Sequence, residues 1–194
     1  EFLYDVWLGS EVENLTDAIS DSHFVVGTSA RLRSVAWPLS DPRQCIEKII
    51  PRLRDQQKIA FVFGNEQSGL SNDELALCHA HLHIPCNEDF SSLNVAAAVQ
   101  IVTYELRMSC EQKNNNIELN YEIESRPVTA DEMEKFFVSL ESCLIHLGYL
   151  NPSQPKKLML RLRRLFNRAI IEENEMNILR GVLNLIVDHT AERE

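Results

Sequence analysis

Three short apolar runs, "HFVVG" at 23–27, "KIAFVF" at 58–63 and "HLHIP" at 81–85, are separated by stretches long enough to hold a helix. Runs of this length, closed by glycine, proline or polar turns, read as buried strands. Strands alternating with helices imply right-handed crossovers and a mostly parallel sheet with helices on both faces. The segments between them carry their own start signals. "ENLTDAIS" reads as a short amphipathic helix. After the loop "SVAWPLS", Asp41 is an N-cap and Pro42 a first-turn proline for "RQCIEKIIPRLRDQ", which Pro51 is expected to kink or shorten. Ser71 and Glu74 fit a capping box. From about Leu93 to Met108 a long apolar helix is expected, with Val95, Val99, Val102 and Leu106 on one face.

This order puts the loops "GTSAR", "FGNEQSGL" and "CNEDFSSLN" at the carboxyl ends of strands, where open α/β sheets bind ligands. "FGNEQSGL" does not fit a phosphate loop, because no GK[ST] follows it, and it lacks the GxGxxG of dinucleotide sites. Gly64 and Gly69 could serve backbone conformation alone. Three loops rich in Gly, Ser, Thr and Asn but poor in positive charge suit a neutral or zwitterionic nucleoside better than a polyphosphate. Glu66 could accept hydrogen bonds there or meet a cationic centre. "GTSAR" is not the GxSxG elbow of a nucleophilic serine. His79, His81 and His83 alternate, but without further ligands at suitable spacing they read as ordinary strand and helix-end histidines, and no metal is expected.

Beyond the sheet region the composition changes. "EQKNNNIELNYEIESRP" is polar and ends in proline, which divides the chain into an α/β domain over 1–112, a linker over 113–127 and a helical unit over 128–194. In that unit Thr129 and Glu132 fit a capping box, ahead of Phe136, Phe137, Leu140, Leu144 and Leu147 at helical spacing. "PKKLMLRLRRLFNRA" and "EENEMNILRGVLNLIVDH" read as two more helices. The formal charge is −10, yet from Arg126 onward there are ten basic and ten acidic residues, so the whole negative excess precedes it. Lys156, Lys157, Arg161, Arg163, Arg164 and Arg168 crowd one helix, on which Leu158, Leu162, Leu165 and Phe166 can face a core while the arginines project outward. Such a run is ordinarily a solvated face. The five cysteines form no CxxC pair, and no apolar run reaches the roughly 20 residues that span a bilayer, so a soluble cytoplasmic protein with reduced thiols is expected. The sequence opens on "EFLYDVW" without methionine and is expected to lack its native N-terminus.

"FGNEQSGLSNDEL" resembles motif two of the SpoU/TrmH class of SPOUT RNA methyltransferases, and "IPCNEDFSSLNVAAAVQIVTYELR" resembles their motif three. "VVGTSARLRSVAWPLSDPR", "KLMLRLRRLFNRA" and "EMNILRGVL" extend the likeness to the TrmJ subfamily over nearly the whole chain. The resemblance implies a C-terminal deep trefoil knot, which no composition argument supplies, and a homodimer. It also implies transfer of a methyl group from S-adenosylmethionine to the ribose 2′-hydroxyl of nucleotide 32 in the tRNA anticodon loop. By the same resemblance Thr28, Ser29, Ala30, Gly64, Ile84, Ser92, Leu93 and Asn94 line the cofactor pocket, and Glu66, Ser92 and Asn94 orient the reacting groups. The basic run then becomes a surface for tRNA. In the family an arginine of motif one takes part in removing the hydroxyl proton. No residue here matches that motif, and Arg31 and Arg33 do not take its place. Two rival readings follow: a non-catalytic RNA-binding or regulatory module that keeps the fold, and an adenosine-nucleotide-binding enzyme of another class.

Overall fold

The computed structural model describes residues 14–29, 39–65, 67–87, 93–111 and 124–191. Four strands, β1 (Phe24–Thr28), β2 (Leu39–Ser40), β3 (Ile59–Val62) and β4 (Ala80–Leu82), form one sheet in the order β2-β4-β1-β3. All three pairings are parallel, which is the architecture the alternating pattern predicts. The departure is β2, the end of a segment read as a loop. Two residues are too few to show a period, and only the ladder to His81 and Leu82 makes them a strand.

Alternation along β1 sorts the helices onto the two faces. Phe24 and Val26 point to α2 (Pro42–Arg54) and α4 (Val95–Glu111), where Cys45, Ile46, Ile49, Ile50, Leu82 and Val102 close the main core. Val25 points the other way, into a smaller cluster with Ile19 of α1 (Leu15–Ile19) and Cys78, which follows α3 (Asn72–Ala76). Each such side chain, once fully buried, contributes about 1.5–3 kcal/mol. Gly27 shows how close the packing is, since a Cβ there would meet Cys78 Sγ at 2.7 Å. On α4, Val102 is buried and Leu106 packs on the core, whereas Val99 is exposed.

The predicted caps form. Asp41 Oδ1 accepts from the Gln44 amide at 2.8 Å, and Ser71 and Glu74 close a reciprocal capping box. α2 runs through Pro51 to Arg54, so the proline removes one intrahelical bond only a turn before the natural end. Residues 30–38 and 88–92, in the region of the expected knot, lie outside the described residues, as do 113–123 of the expected linker.

α5 (Ala130–His146), α6 (Leu158–Ala169) and α7 (Glu173–Ala191) enclose Val128, Met133, Phe136, Phe137, Ile171 and Met176. Phe136, Phe137 and Phe166 meet edge-on or tilted, with centroids 5.0–6.2 Å apart. Leu147 is exposed, and so is Leu165 at 51 %, contrary to the helical-face expectation. Asn167 takes the inward place instead. The unit is tied to the α/β domain at the start of α5, where the Ala130 and Asp131 amides donate to the Ser22 and Ser20 carbonyls at 2.9 and 3.1 Å.

His79 is buried and stacks on Phe24, and its Nδ1 accepts from the Val25 amide at 3.0 Å. Burial, helped by the Arg52 charge, lowers its pKa from 6.5 to about 4. Protonation would turn an acceptor into a donor facing another N–H. The unfolded chain therefore binds this proton first, and the stability gained from neutral His79 is full above pH 6.5 and lost as pH falls toward 4. Urea unfolding at about pH 7.5 and about pH 4.5 should show a loss of about 2–3 kcal/mol that a His79→Asn variant lacks. An equal loss in the variant would remove His79 as its source.

Candidate functional site

Thr28, Val62 and Leu82 lie at the carboxyl ends of three adjacent strands, and short bonds hold those ends level. Thr28 Oγ1 donates to the Val62 carbonyl at 3.0 Å, and the Ser29 amide donates to the Leu82 carbonyl at 2.9 Å. His83 continues the stitching, with its amide donating to the Ser40 carbonyl at 2.9 Å and its Nδ1 3.0 Å from the Ser29 carbonyl. Ile84 packs against the main core, and its carbonyl accepts from Cys86 Sγ. The chain thus leaves β1, β3 and β4 as a fixed group of loops. Ala30 lies outside the described residues. His81 turns away from this edge, with Nε2 3.1 Å from the Leu75 carbonyl, so it and His83 serve different contacts.

The loop after β3 is organised by Asn65. Its Oδ1 accepts from the Gln67 amide at 3.1 Å, the Ser68 amide at 2.8 Å and the Ser68 hydroxyl at 2.9 Å, and its carbonyl accepts from the Gly69 amide at 2.9 Å. Folded back in this way, the loop runs directly over Gly64, where a Cβ would lie inside the Gly69–Leu70 peptide. Gly69 takes φ +65°, and Leu70 is buried. The nearest reason for Gly64 is therefore the loop's own return path. Asn65 was not singled out in the sequence, although an asparagine opening a glycine-containing turn is a recognised signal. Glu66 lies outside the described residues.

Leu93 and Asn94 precede α4, and both are exposed. Asn94 Oδ1 accepts from the Ala96 amide at 2.8 Å, and its carbonyl accepts from the Ala98 amide at 3.0 Å, so this side chain caps the helix. Ser92 lies outside the described residues. At these loops the described residues offer backbone amides and carbonyls, the hydroxyls of Thr28, Ser29 and Ser68, side-chain amides and His83, with no lysine or arginine among 27–29, 62–70 or 82–87. That donor set matches a zwitterionic nucleoside and does not favour a chain of phosphates.

The basic helix departs from expectation at Arg163, Arg164 and Leu165. Arg163 does not project outward. Its guanidinium makes a bidentate pair with Glu134 at 2.6 and 2.7 Å and lies 4.5 Å from the centre of the Phe137 ring, leaving the side chain 18 % exposed. Arg164 is half-buried, with Nε enclosed. Lys156, Lys157, Arg161 and Arg168 are exposed, and Leu165 lies among the last three on one face.

The family described as "SpoU rRNA Methylase family" matches residues 6–104, and that described as "tRNA methyltransferase TrmJ, C-terminal domain" matches residues 131–194. A tRNA (cytidine/uridine/adenosine-2′-O-)-methyltransferase TrmJ of Pseudomonas aeruginosa is 46 % identical over 178 residues, covering 89 % of this chain and 69 % of the relative. A tRNA (cytidine/uridine-2′-O-)-methyltransferase TrmJ of Photorhabdus laumondii is 42 % identical over 175 residues, covering 90 % and 72 %. The crystal structure of TrmJ from Z. mobilis superposes with a TM-score of 0.74 at 29 % identity, over 90 % of this chain and 72 % of that one.

Because the space at Gly64 is filled by backbone, Gly64→Ala should force the loop open and cost about 1–3 kcal/mol in urea unfolding. Gly69→Ala meets no atom and should cost only the roughly 1–2 kcal/mol of its left-handed conformation. A Gly64→Ala protein as stable as the parent would show that the return path over Gly64 is not needed.

Proposed function

The chain belongs to the SpoU methylase family and within it to TrmJ, and from that premise we propose that it is a tRNA ribose 2′-O-methyltransferase acting at nucleotide 32 of the anticodon loop. The observation that supports this reading is the levelled group of strand ends, which lead into the two family motifs and, among the described residues 27–29, 62–70 and 82–87, present backbone groups without cationic side chains. S-adenosylmethionine supplies an electrophilic methyl on a sulfonium. The chain's own part is to hold adenosine and ribose with main-chain groups of Thr28, Ser29, Ala30, Gly64, Ile84 and Leu93. Glu66, Ser92 and Asn94 fix the approach of the ribose. An in-line displacement needs no metal, and holding two reactants in line can supply about 7–11 kcal/mol of barrier reduction. The 2′-hydroxyl must also lose a proton.

tRNA is held by the exposed face of Lys156, Lys157, Arg161 and Arg168. Arg163 is a strut for this face. The reading includes a homodimer in the cytoplasm; among the described residues no helix is long and apolar enough to cross a membrane. The rival reading, a non-catalytic RNA-binding module that keeps the fold, is separated from this one by assay.

Calorimetry should show binding of S-adenosylmethionine in preference to ATP, and labelled methyl should appear in tRNA at the ribose of nucleotide 32. Preference for ATP sinks the methyltransferase reading, whereas cofactor binding without incorporation favours the module. A Lys157→Glu, Arg161→Glu, Arg168→Glu triple variant should bind tRNA at least about tenfold more weakly and lower the salt slope by about three, with cofactor affinity unchanged. Unchanged tRNA binding in that variant would remove α6 from the interface.

A further inference from the structure

Asn167 is 3 % exposed, and its partners lie in the other half of the molecule. Its Nδ2 donates to the carbonyls of Ala76 at 3.0 Å and Cys78 at 3.3 Å. Ala76 ends α3, and Cys78 leads into β4, so a side chain of the helical tail satisfies carbonyls left over where that helix stops. A primary amide suits the task, having two donors for two acceptors in a place closed to water. One turn earlier Arg163 is fixed to Glu134, and both side chains line a small cavity with Thr16, Leu77 and His79.

The remainder of α6 follows from this attachment. At 100° per residue, Lys157, Arg161 and Arg168 lie roughly 100–140° around the helix from the line between Arg163 and Asn167. Fixing the inner line therefore fixes the direction in which the basic face points. The attachment also reaches the strand-end loops by two short routes. α3 begins at the Ser71 cap, next to Leu70, where the loop over Gly64 ends. Cys78 Sγ abuts Gly27, which adjoins Thr28 and its bond to Val62.

We infer that Asn167 is a positioning residue for methyl transfer, clasping α6 to the end of α3 so that tRNA held on the basic face presents its ribose in register with the strand-end loops. This rests on the methyltransferase reading. The clasp touches neither substrate nor cofactor, and its loss acts on geometry. Phosphate contacts fix how tRNA lies on the protein, so a helix that shifts carries the held tRNA with it and keeps most of the affinity. In-line transfer does not tolerate the shift, since a misplacement of about 1 Å can cost about a hundredfold.

The test compares the parent with Asn167→Ala, Asn167→Asp and Asn167→Gln for methyl transfer at saturating tRNA, for equilibrium binding of tRNA and of S-adenosylmethionine, and for amide exchange in α3 and α6. Asn167→Ala should lower kcat by about tenfold or more while both binding constants stay within about threefold, with exchange raised in α6. Asn167→Asp, which sets a carboxylate against two carbonyls, should fall at least as far, and Asn167→Gln, which keeps the donor, should recover part of the rate. An unchanged kcat in Asn167→Ala, or a fall matched by equal loss of cofactor affinity, would overturn the inference alone. A parent protein that transfers no methyl group would overturn the functional reading, and this inference with it.

Discussion

The hydrogen bond from Thr28 Oγ1 to the Val62 carbonyl, with the Ser29 amide on the Leu82 carbonyl, holds the ends of three parallel strands at one level. A parallel ladder has no hairpin to close it, so the last rung depends on whatever the departing loops supply. Here the residues that close it, Thr28 and Ser29 at the end of β1, bind the last carbonyls of β3 and β4, from which the chain enters the two motif segments. A threonine and a serine at these positions therefore serve the fold directly, whatever they add to the proposed cofactor pocket. Gly27, one residue earlier, has no room for a side chain because Cys78 fills the space, and Cys78 in turn lends its carbonyl to the tail.

The parts legible in the sequence are those whose cause is local. The capping boxes at Ser71 and Thr129, the Asp41–Pro42 start and the alternation through β1 each depend on residues a few positions apart. The parallel sheet followed from those elements, and the motifs at 63–75 and 84–107 carried the family. What could not be read was settled by distant partners. Leu39 and Ser40 are a strand only because β4 passes beside them. Arg163 and Leu165 exchange their expected places because Glu134 and Phe137 lie on the side of α6 that Arg163 faces, which leaves Leu165 on the exposed side. Helical periodicity gives the angle between two side chains and not which of them faces inward. In a helix where leucines and arginines alternate closely, the choice passes to the helix it docks on.

Asn65 and Gly64 illustrate a second limit. Glycines in a loop at the end of a strand invite the reading that a ligand comes close, and the same residues are required when the loop crosses itself. The three bonds to Asn65 Oδ1 favour self-crossing as the immediate cause. The two causes are compatible, since a loop tied to its own asparagine holds its remaining amides in fixed directions. Such preorganisation is what allows main-chain groups to recognise a small ligand without a large ordering cost.

On the proposed reading, the ion pairs of the tail and its tRNA contacts draw on different residues. Arg126 makes two bonds to Glu132 and one to Glu173 across the start of the tail, and Glu132 is at once the capping-box partner of Thr129. That guanidinium, aided by the Thr129 bonds, holds the Glu132 carboxyl down at about 2. Arg163 and Glu134 form a second internal pair, more enclosed than the first. Both pairs engage their cations with carboxylates of the tail, whereas Lys157, at the start of α6, and Arg161 and Arg168 within it are exposed. On the proposed reading a polyanion bound at Lys157, Arg161 and Arg168 leaves intact the Arg163–Glu134 pair that fixes the helix. A surface arranged in this way can exchange counterions for phosphates while the scaffold beneath it keeps its geometry.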